Sequence, residues 1–287
     1  MWGIIGGSGF EKFEHMVPVD DVDRGTPFGL ASSGIKKVRI HNRECVFVSR
    51  HGQHHELLPS EVNYRANIFA LKRAGVTRIL AFSAVGSLQQ ELKPGEMVVI
   101  DQYIDRTKSL RAHTFLGDGI VGHVSFAKPT CSALESVIKK HAAGLNFAAH
   151  FHKTYLCIDG PGFSTRAESL SYRQIGAQII GMTNVPEYAL AREAGLCYLP
   201  CVFVTDYDCW DDSIPHVTLE EVMQVMRKNN SKAFKVVETM LQSTHEVGSC
   251  ACHEGGLKNA LMTPPEAIPT EKRDWLKVLM DRGGAAN

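Results

Sequence analysis

Asp206 and Asp208 close the apolar run at residues 201–205 with one residue between them, so on an extended backbone both carboxylates point to the same side. Partial burial there favours the protonated form, through desolvation and the like charge alongside, which is the environment of a general acid. The same spacing also suits two solvated turn aspartates. Three other strand-to-loop junctions could face such an acid. Gly6-Gly7-Ser8-Gly9 lets backbone N–H groups converge on an anion while Ser8 adds a hydroxyl, with a bare tight turn as the alternative. No Gly-Lys-Ser/Thr closes it as in a P-loop, and Lys12 stands where a dinucleotide fingerprint needs its third glycine. Arg50-His51-Gly52 follows the run at 45–49. Its guanidinium fork suits phosphate oxygens, and an exposed charge beside a capping histidine suits it equally. Ser83-Ala84-Val85-Gly86-Ser87 is built of small residues that let the backbone approach a ligand closely.

These junctions need a sheet to bring them together. Short apolar runs at 2–5, 37–40, 45–49, 78–83, 97–101, 154–158 and 201–205 read as strands. Helical patterns fall at 131–142, 166–175 and 186–194, and a helix opened by Pro59-Ser60 ends at Gly75. Thr218 and Glu221 form a capping box for a long helix to about residue 242. The alternation predicts an α/β layer fold around a largely buried sheet. Residues 244–269 are irregular, and Thr270 is placed to cap a last helix through 280. The expected organisation is one domain over 1–243, with 244–287 an arm and helix packed on it.

Of the 287 residues, 44% are apolar and 22% charged, which is the balance of a folded globular chain. Lys+Arg and Asp+Glu each total 31, so no net basic field exists to gather nucleic acid or an anionic membrane. No apolar run approaches the roughly 20 residues of a membrane span. Residues 1–5 lack the charged start and long core of a secretory leader, and a cytoplasmic location is expected. Eight cysteines in a chain of this size read as reduced, buried thiols. Cys250-Ala251-Cys252-His253 is the one dense group, open to plain thiols or a disulfide. A zinc site would need a second ligand pair, which the neighbouring sequence does not supply, so no metal is expected.

Taken together, the motifs resemble the purine nucleoside phosphorylase family, most closely its 5′-methylthioadenosine phosphorylase branch, over about residues 3–242. Beyond the junctions above, the likeness rests on Ser60-x-x-Asn63-Tyr64-x-Ala66-Asn67-Ile68, Asp101-Gln102-x-Ile104-Asp105-Arg106-Thr107, Gly160-Pro161-x-Phe163-Ser164-x-Arg166-Ala167-Glu168-Ser169, Gly181-Met182-Thr183-x-Val185-Pro186-Glu187 and Thr205-Asp206-Tyr207-Asp208-Cys209-Trp210. The resemblance implies a single-domain phosphorylase/hydrolase-like α/β fold, with a mixed barrel-like central sheet flanked by helices. It further implies a homotrimer or dimer of trimers, with active sites beside the subunit interfaces. Phosphate would be held by Ser8, Arg50, His51, Ser83, Ala84 and Thr183. Phe163 and Ser164 would border the base and sugar, and the ribose hydroxyls would meet the backbone at Met182. Asp206 and Asp208 match the pair that contacts N7 and the 6-amino group of adenine, while His123, Leu219 and Val222 match the 5′ pocket, the histidine arriving from a neighbouring subunit.

The activity implied is phosphorolysis of 5′-methylthioadenosine to adenine and 5-methylthioribose 1-phosphate, in purine and methionine salvage. Inorganic phosphate is co-substrate, and no cofactor is needed. The alternatives are a phosphorylase of 6-oxopurine nucleosides or methylthioinosine, a nucleosidase using water, and a non-catalytic nucleotide-binding module. The chain departs from the branch's pattern at Ser8 and Ser83 for threonine, Gly162 for arginine and Gly181 for asparagine. Its Cys-x-Cys resembles that of thermophilic archaeal relatives, where such cysteines form disulfides.

Overall fold

The computed structural model describes residues 1–7, 9–10, 13, 15–108, 111–211, 213 and 219–281, the last range without the side chain of Leu219. In chain order its elements are β1 (Trp2–Gly6), β2 (Met16–Asp21), β3 (Gly25–Thr26), β4 (Gly29–Leu30), β5 (Lys36–Ile40), β6 (Arg43–Ser49), α1 (Tyr64–Arg73), β7 (Arg78–Ser87), β8 (Met97–Asp105), α2 (Ser132–His141), β9 (Ala149–Cys157), α3 (Arg166–Gln174), β10 (Ile179–Gly181), α4 (Glu187–Glu193), β11 (Cys197–Tyr207), α5 (Leu219–Gln242) and α6 (Thr270–Met280). The two longest strands, β7 and β11, lie side by side and parallel at the centre of the sheet, and β11 is buried without a break from Cys197 through Thr205, as expected for a strand covered on both faces.

Among the described residues the main sheet runs β10-β9-β8-β11-β7-β1-β6-β5-β2, and β10 pairs back onto β7. That pairing closes β7, β11, β8, β9 and β10 into a five-stranded barrel, from which β1, β6, β5 and β2 extend as an open flank. The barrel is mixed: β7 and β11 are parallel, while β8 on β11 and β10 on β7 are antiparallel. The closing strand has only three residues, too few to stand out as a run. One face of the sheet buries Ile4, Phe47, Leu80 and Leu199 with Val236 and Met240 of α5. The other buries Val46, Val48, Ile79 and Ala81 with Ile68 and Leu71 of α1. Leu257, Ile268, Leu276 and Leu279 from beyond residue 243 share this second cluster.

Some local starts differ from expectation. Pro59-Ser60 does not open α1; Asn63 caps it, its side chain accepting from the Ala66 N–H at 3.1 Å. The asparagine oxygen satisfies a donor that a serine three residues earlier cannot reach. Thr270 is the first residue of α6 rather than its cap, and the N-cap is Pro269, which makes no side-chain bond. Thr218 lies outside the described residues. Among those residues no helix is long and apolar enough to cross a membrane.

Candidate active site

The bulge between Val204 and Asp206 re-registers β11 so that Asp206 lies opposite Gly86 and Tyr207 opposite Ser87. With no side chain at Gly86, both carboxylates settle over it: a Cβ there would lie 3.5 Å from Asp206 Oδ2 and 3.6 Å from Asp208 Cβ. Burial pushes the Asp206 carboxyl up to about 6 and Asp208's charge adds to this, while the Thr205 hydroxyl, donating to Oδ1 at 2.6 Å, opposes it. Asp208 is also raised, chiefly by burial. The Ser169 and Ser164 hydroxyls pull it down, yet Oδ2 is buried without a partner at hydrogen-bonding geometry. Ser87 O fixes the loop by accepting from Asp208 N and from Trp210 Nε1, both at 2.9 Å.

A small cleft of about 40 Å³ lies next along the strand, lined by Gly7, Phe82, Ser83, Ala84, Met226, Asn230 and by Thr205, the residue before Asp206. The glycine loop meets α5 closely. Gly9 sits at φ +87°, and a Cβ there would stand 2.5 Å from Asn230 Nδ2, so conformation and space both require glycine. Ser8 lies outside the described residues. Ser83 Oγ donates to Asn184 Oδ1 at 3.0 Å, which brings the turn carrying Thr183 beside it.

Arg50 does not present an open fork to this cleft. It is 0% exposed, and its Nε and Nη2 pair with the Glu187 carboxylate at 2.8 and 2.9 Å while Nη1 donates to Phe82 O at 3.0 Å. Burial opposes its charge, but Glu187 outweighs that and raises its pKa. The network continues through Tyr198, which donates to Glu187 at 2.7 Å and receives from Asn184 Nδ2 at 2.8 Å. Arg50 thus fixes the strand end from behind, through the carbonyl preceding Ser83. His51 Nδ1 lies 2.9 Å from Leu57 O, so Nδ1 carries the proton. Burial and the adjacent Arg50 lower its pKa to about 4, leaving a neutral ring.

Comparison with known proteins places this geometry. The phosphorylase superfamily profile matches residues 2–242. This chain belongs to that superfamily. It is 41% identical to an S-methyl-5′-thioadenosine phosphorylase of Geobacter sulfurreducens, with 97% of each chain covered. Identity to the Thermococcus kodakarensis enzyme of the same name is 47%, over 87% of this chain and 95% of that one. A methylthioadenosine phosphorylase from an antarctic soil metagenomic library superposes with a TM-score of 0.90 at 42% identity, covering 98% of both chains.

Not every residue the superfamily resemblance points to meets at this cleft within one chain. Phe163 is 80% exposed, although its neighbour Ser164 abuts the acid loop by accepting at its carbonyl from Cys209 Sγ at 3.1 Å. Val222 is half-buried on α5, and the Leu219 side chain lies outside the described residues. His123 is exposed, its N–H donating to Ala260 O at 2.9 Å, beside exposed Val121 and Phe126. Met182 O receives from Arg111 Nη2 at 2.8 Å, so that carbonyl is already engaged.

Further residues, inside and outside the quoted motifs, support the site without their types alone singling them out. Arg111 ties Met182 to Val185 O (2.6 Å) and Asp159 O (3.2 Å), clamping the turn that carries Thr183. Glu187 stands inside a quoted motif, but nothing local signals that it partners Arg50, 137 positions away. Of the departures, Gly162 sits in open space. Gly181 does not, since a Cβ there would collide with the Tyr155 phenol. That phenol donates to Thr183 O at 2.9 Å and receives from Thr183 N at 3.2 Å, and so takes the space of an asparagine side chain.

Proposed function

We infer that this chain catalyses phosphorolysis of 5′-methylthioadenosine, a pentosyl transfer that releases adenine and 5-methylthioribose 1-phosphate. The observation that carries the reading is Asp206, a half-buried carboxyl raised to about 6, one residue after Thr205, which lines a cleft together with Gly7 and the Ser83-Ala84 strand end. An acid in that state can protonate or hydrogen-bond N7 as the bond to N9 lengthens, so that adenine leaves neutral. Phosphate attacks C1′ from the other side of the sugar, and most of the catalysis is positioning and charge.

Phosphate would rest against Gly7, Ser83, Ala84 and Thr183, with His51 and the hydroxyl of Ser8 as further donors. Arg50 supports this floor from within the core rather than gripping the anion with its whole fork. Supporting this are the Ser83 to Asn184 bond, which holds the Thr183 turn beside the strand end, and the Arg50 to Phe82 bond beneath it. No metal or organic cofactor takes part in the chemistry.

Asp208 favours adenine over a 6-oxopurine. Beside the Ser164 and Ser169 hydroxyls its ionised carboxylate can only accept, which complements an amino group and not a carbonyl oxygen. Met226 on the cleft wall and Val222 on the same helix give the 5′ side an apolar character suited to a methylthio group. The exposed apolar residues around His123, with exposed Phe163, suit a homotrimer in which a neighbouring copy brings them to the cleft. We place the enzyme in the cytoplasm, in purine and methionine salvage. The test is adenine release from 5′-methylthioadenosine with and without phosphate: release should require phosphate, and equal release in its absence would make the chain a nucleosidase.

A further inference from the structure

The tail pair Cys250 and Cys252 meets a second pair that the chain supplies from far away. Cys131 is the N-cap of α2 and Cys197 the first residue of β11, and the four sulfur atoms lie within 4.8 Å of one another. The neighbouring sequence supplies no second ligand pair, as expected; strand and helix packing brings one from residues 131 and 197, which spacing along the chain could not show. From this convergence we propose that Cys131, Cys197, Cys250 and Cys252 form a structural zinc site that fastens the arm beyond residue 243 to the barrel.

Zinc bound by thiolates has Zn–S near 2.3 Å, which in a tetrahedron sets the sulfurs about 3.8 Å apart; here the pairs reach from 3.2 Å, between Cys197 Sγ and Cys250 Sγ, to no more than 4.8 Å, so small side-chain rotations bring them to that spacing. Four sulfurs in that arrangement are the donor set of zinc or iron, with no place for water or for an open catalytic position. Cys131, Cys197 and Cys252 are buried and Cys250 is half-buried, inside the apolar cluster that also holds Leu134 and Met240. Cys131 sits where the α2 dipole favours a thiolate. Around the sulfurs the chain is already organised. His253 Nδ1 donates to Gly195 O at 2.6 Å, which leaves Nε2 4.0 Å from Cys197 Sγ. Arg192 donates to Lys128 O and Thr130 O and so holds the backbone that leads into Cys131. Loading exchanges one Zn²⁺ for four thiol protons and requires no oxidant. Pairing the same cysteines as disulfides would remove two electrons per bond and needs one.

Full-length protein prepared without chelator or added metal should carry about one zinc per chain by elemental analysis. After denaturation in chelator without reductant, all eight thiols should titrate. Cobalt loading should give the visible bands of a tetrahedral thiolate site, lost in Cys250→Ser and retained in the control Cys45→Ala, which lies outside the cluster. Should Cys250→Ser fail to fold, mercurial titration of the wild type decides, releasing zinc in step with four thiols. Absence of metal, stoichiometric iron, or four titratable thiols in place of eight would overturn the proposal.

Discussion

Strand β11 carries an ionisable cluster at each end, Cys197 at its start and Asp206 near its finish, about 30 Å apart at the rise of an extended chain. At the first end four sulfurs face one another and can share a cation. At the second, two carboxyls are half-buried beside a glycine, and Asp208 Oδ2 makes no hydrogen bond of good geometry. One end gathers ligands that satisfy one another, the other keeps acceptors open for a molecule that comes and goes. The lesson is that burial acts on stability and on reactivity through the same desolvation, and which one results depends on whether the buried groups find partners within the chain.

The sharpest way to break this contrast is Asp206→Asn. It should lower kcat by roughly 10²–10⁴-fold in a phosphorolysis assay. Stability should move the other way. Because the folded carboxyl is raised, the folded state holds its proton between about 4 and 6 while the unfolded chain has lost it, so stability falls as pH rises through that window. At pH 7.5 the amide avoids this loss, and the variant should melt no lower than wild type. A lower Tm would mean that Asp206 is a structural anchor.

Next in size is Glu187→Ala, which strips the partner from a fully buried guanidinium and should cost about 3–5 kcal/mol in denaturant unfolding. Glu187→Gln keeps an acceptor and should lose less. If both unfold like wild type, the Arg50 network is not what holds the strand end. Asp208→Asn adds a donor where an acceptor was open. It should move selectivity from 5′-methylthioadenosine toward 5′-methylthioinosine by roughly 10–100-fold, read as a ratio of kcat/KM values. The smallest expected effect is on pH dependence. Wild-type kcat/KM should decline above about pH 6 as Asp206 loses its proton, and Thr205→Val, lacking the hydroxyl that lowers this pKa, should move the decline to higher pH.

The ends of strands were the most legible part of this chain. Apolar runs closing on Asp206, Arg50 and Ser83 marked both the strands and the junctions at their ends, since strand burial and ligand approach write on the same few positions. Long-range partnership was not legible. Glu187, Tyr198 and Asn184 are ordinary residues until folding brings Arg50 among them, and the thiol pair for Cys250 and Cys252 comes from two other elements. Ile179–Gly181 closes the barrel, yet three residues carry no periodicity. Arg50 read as a phosphate fork because its local setting was right. Only the packed structure reveals that a carboxylate already fills that fork.

Position 181 has a further consequence for how this chain can change. Because the Tyr155 ring fills the volume beside Gly181 and also pins Thr183, any replacement bearing a side chain at 181 demands a smaller residue at 155 in the same step. Either change alone evicts or unpins its neighbour, so the two sites are expected to be inherited as a pair, and swapping one without the other should be a dead end for redesigning the turn that carries Thr183.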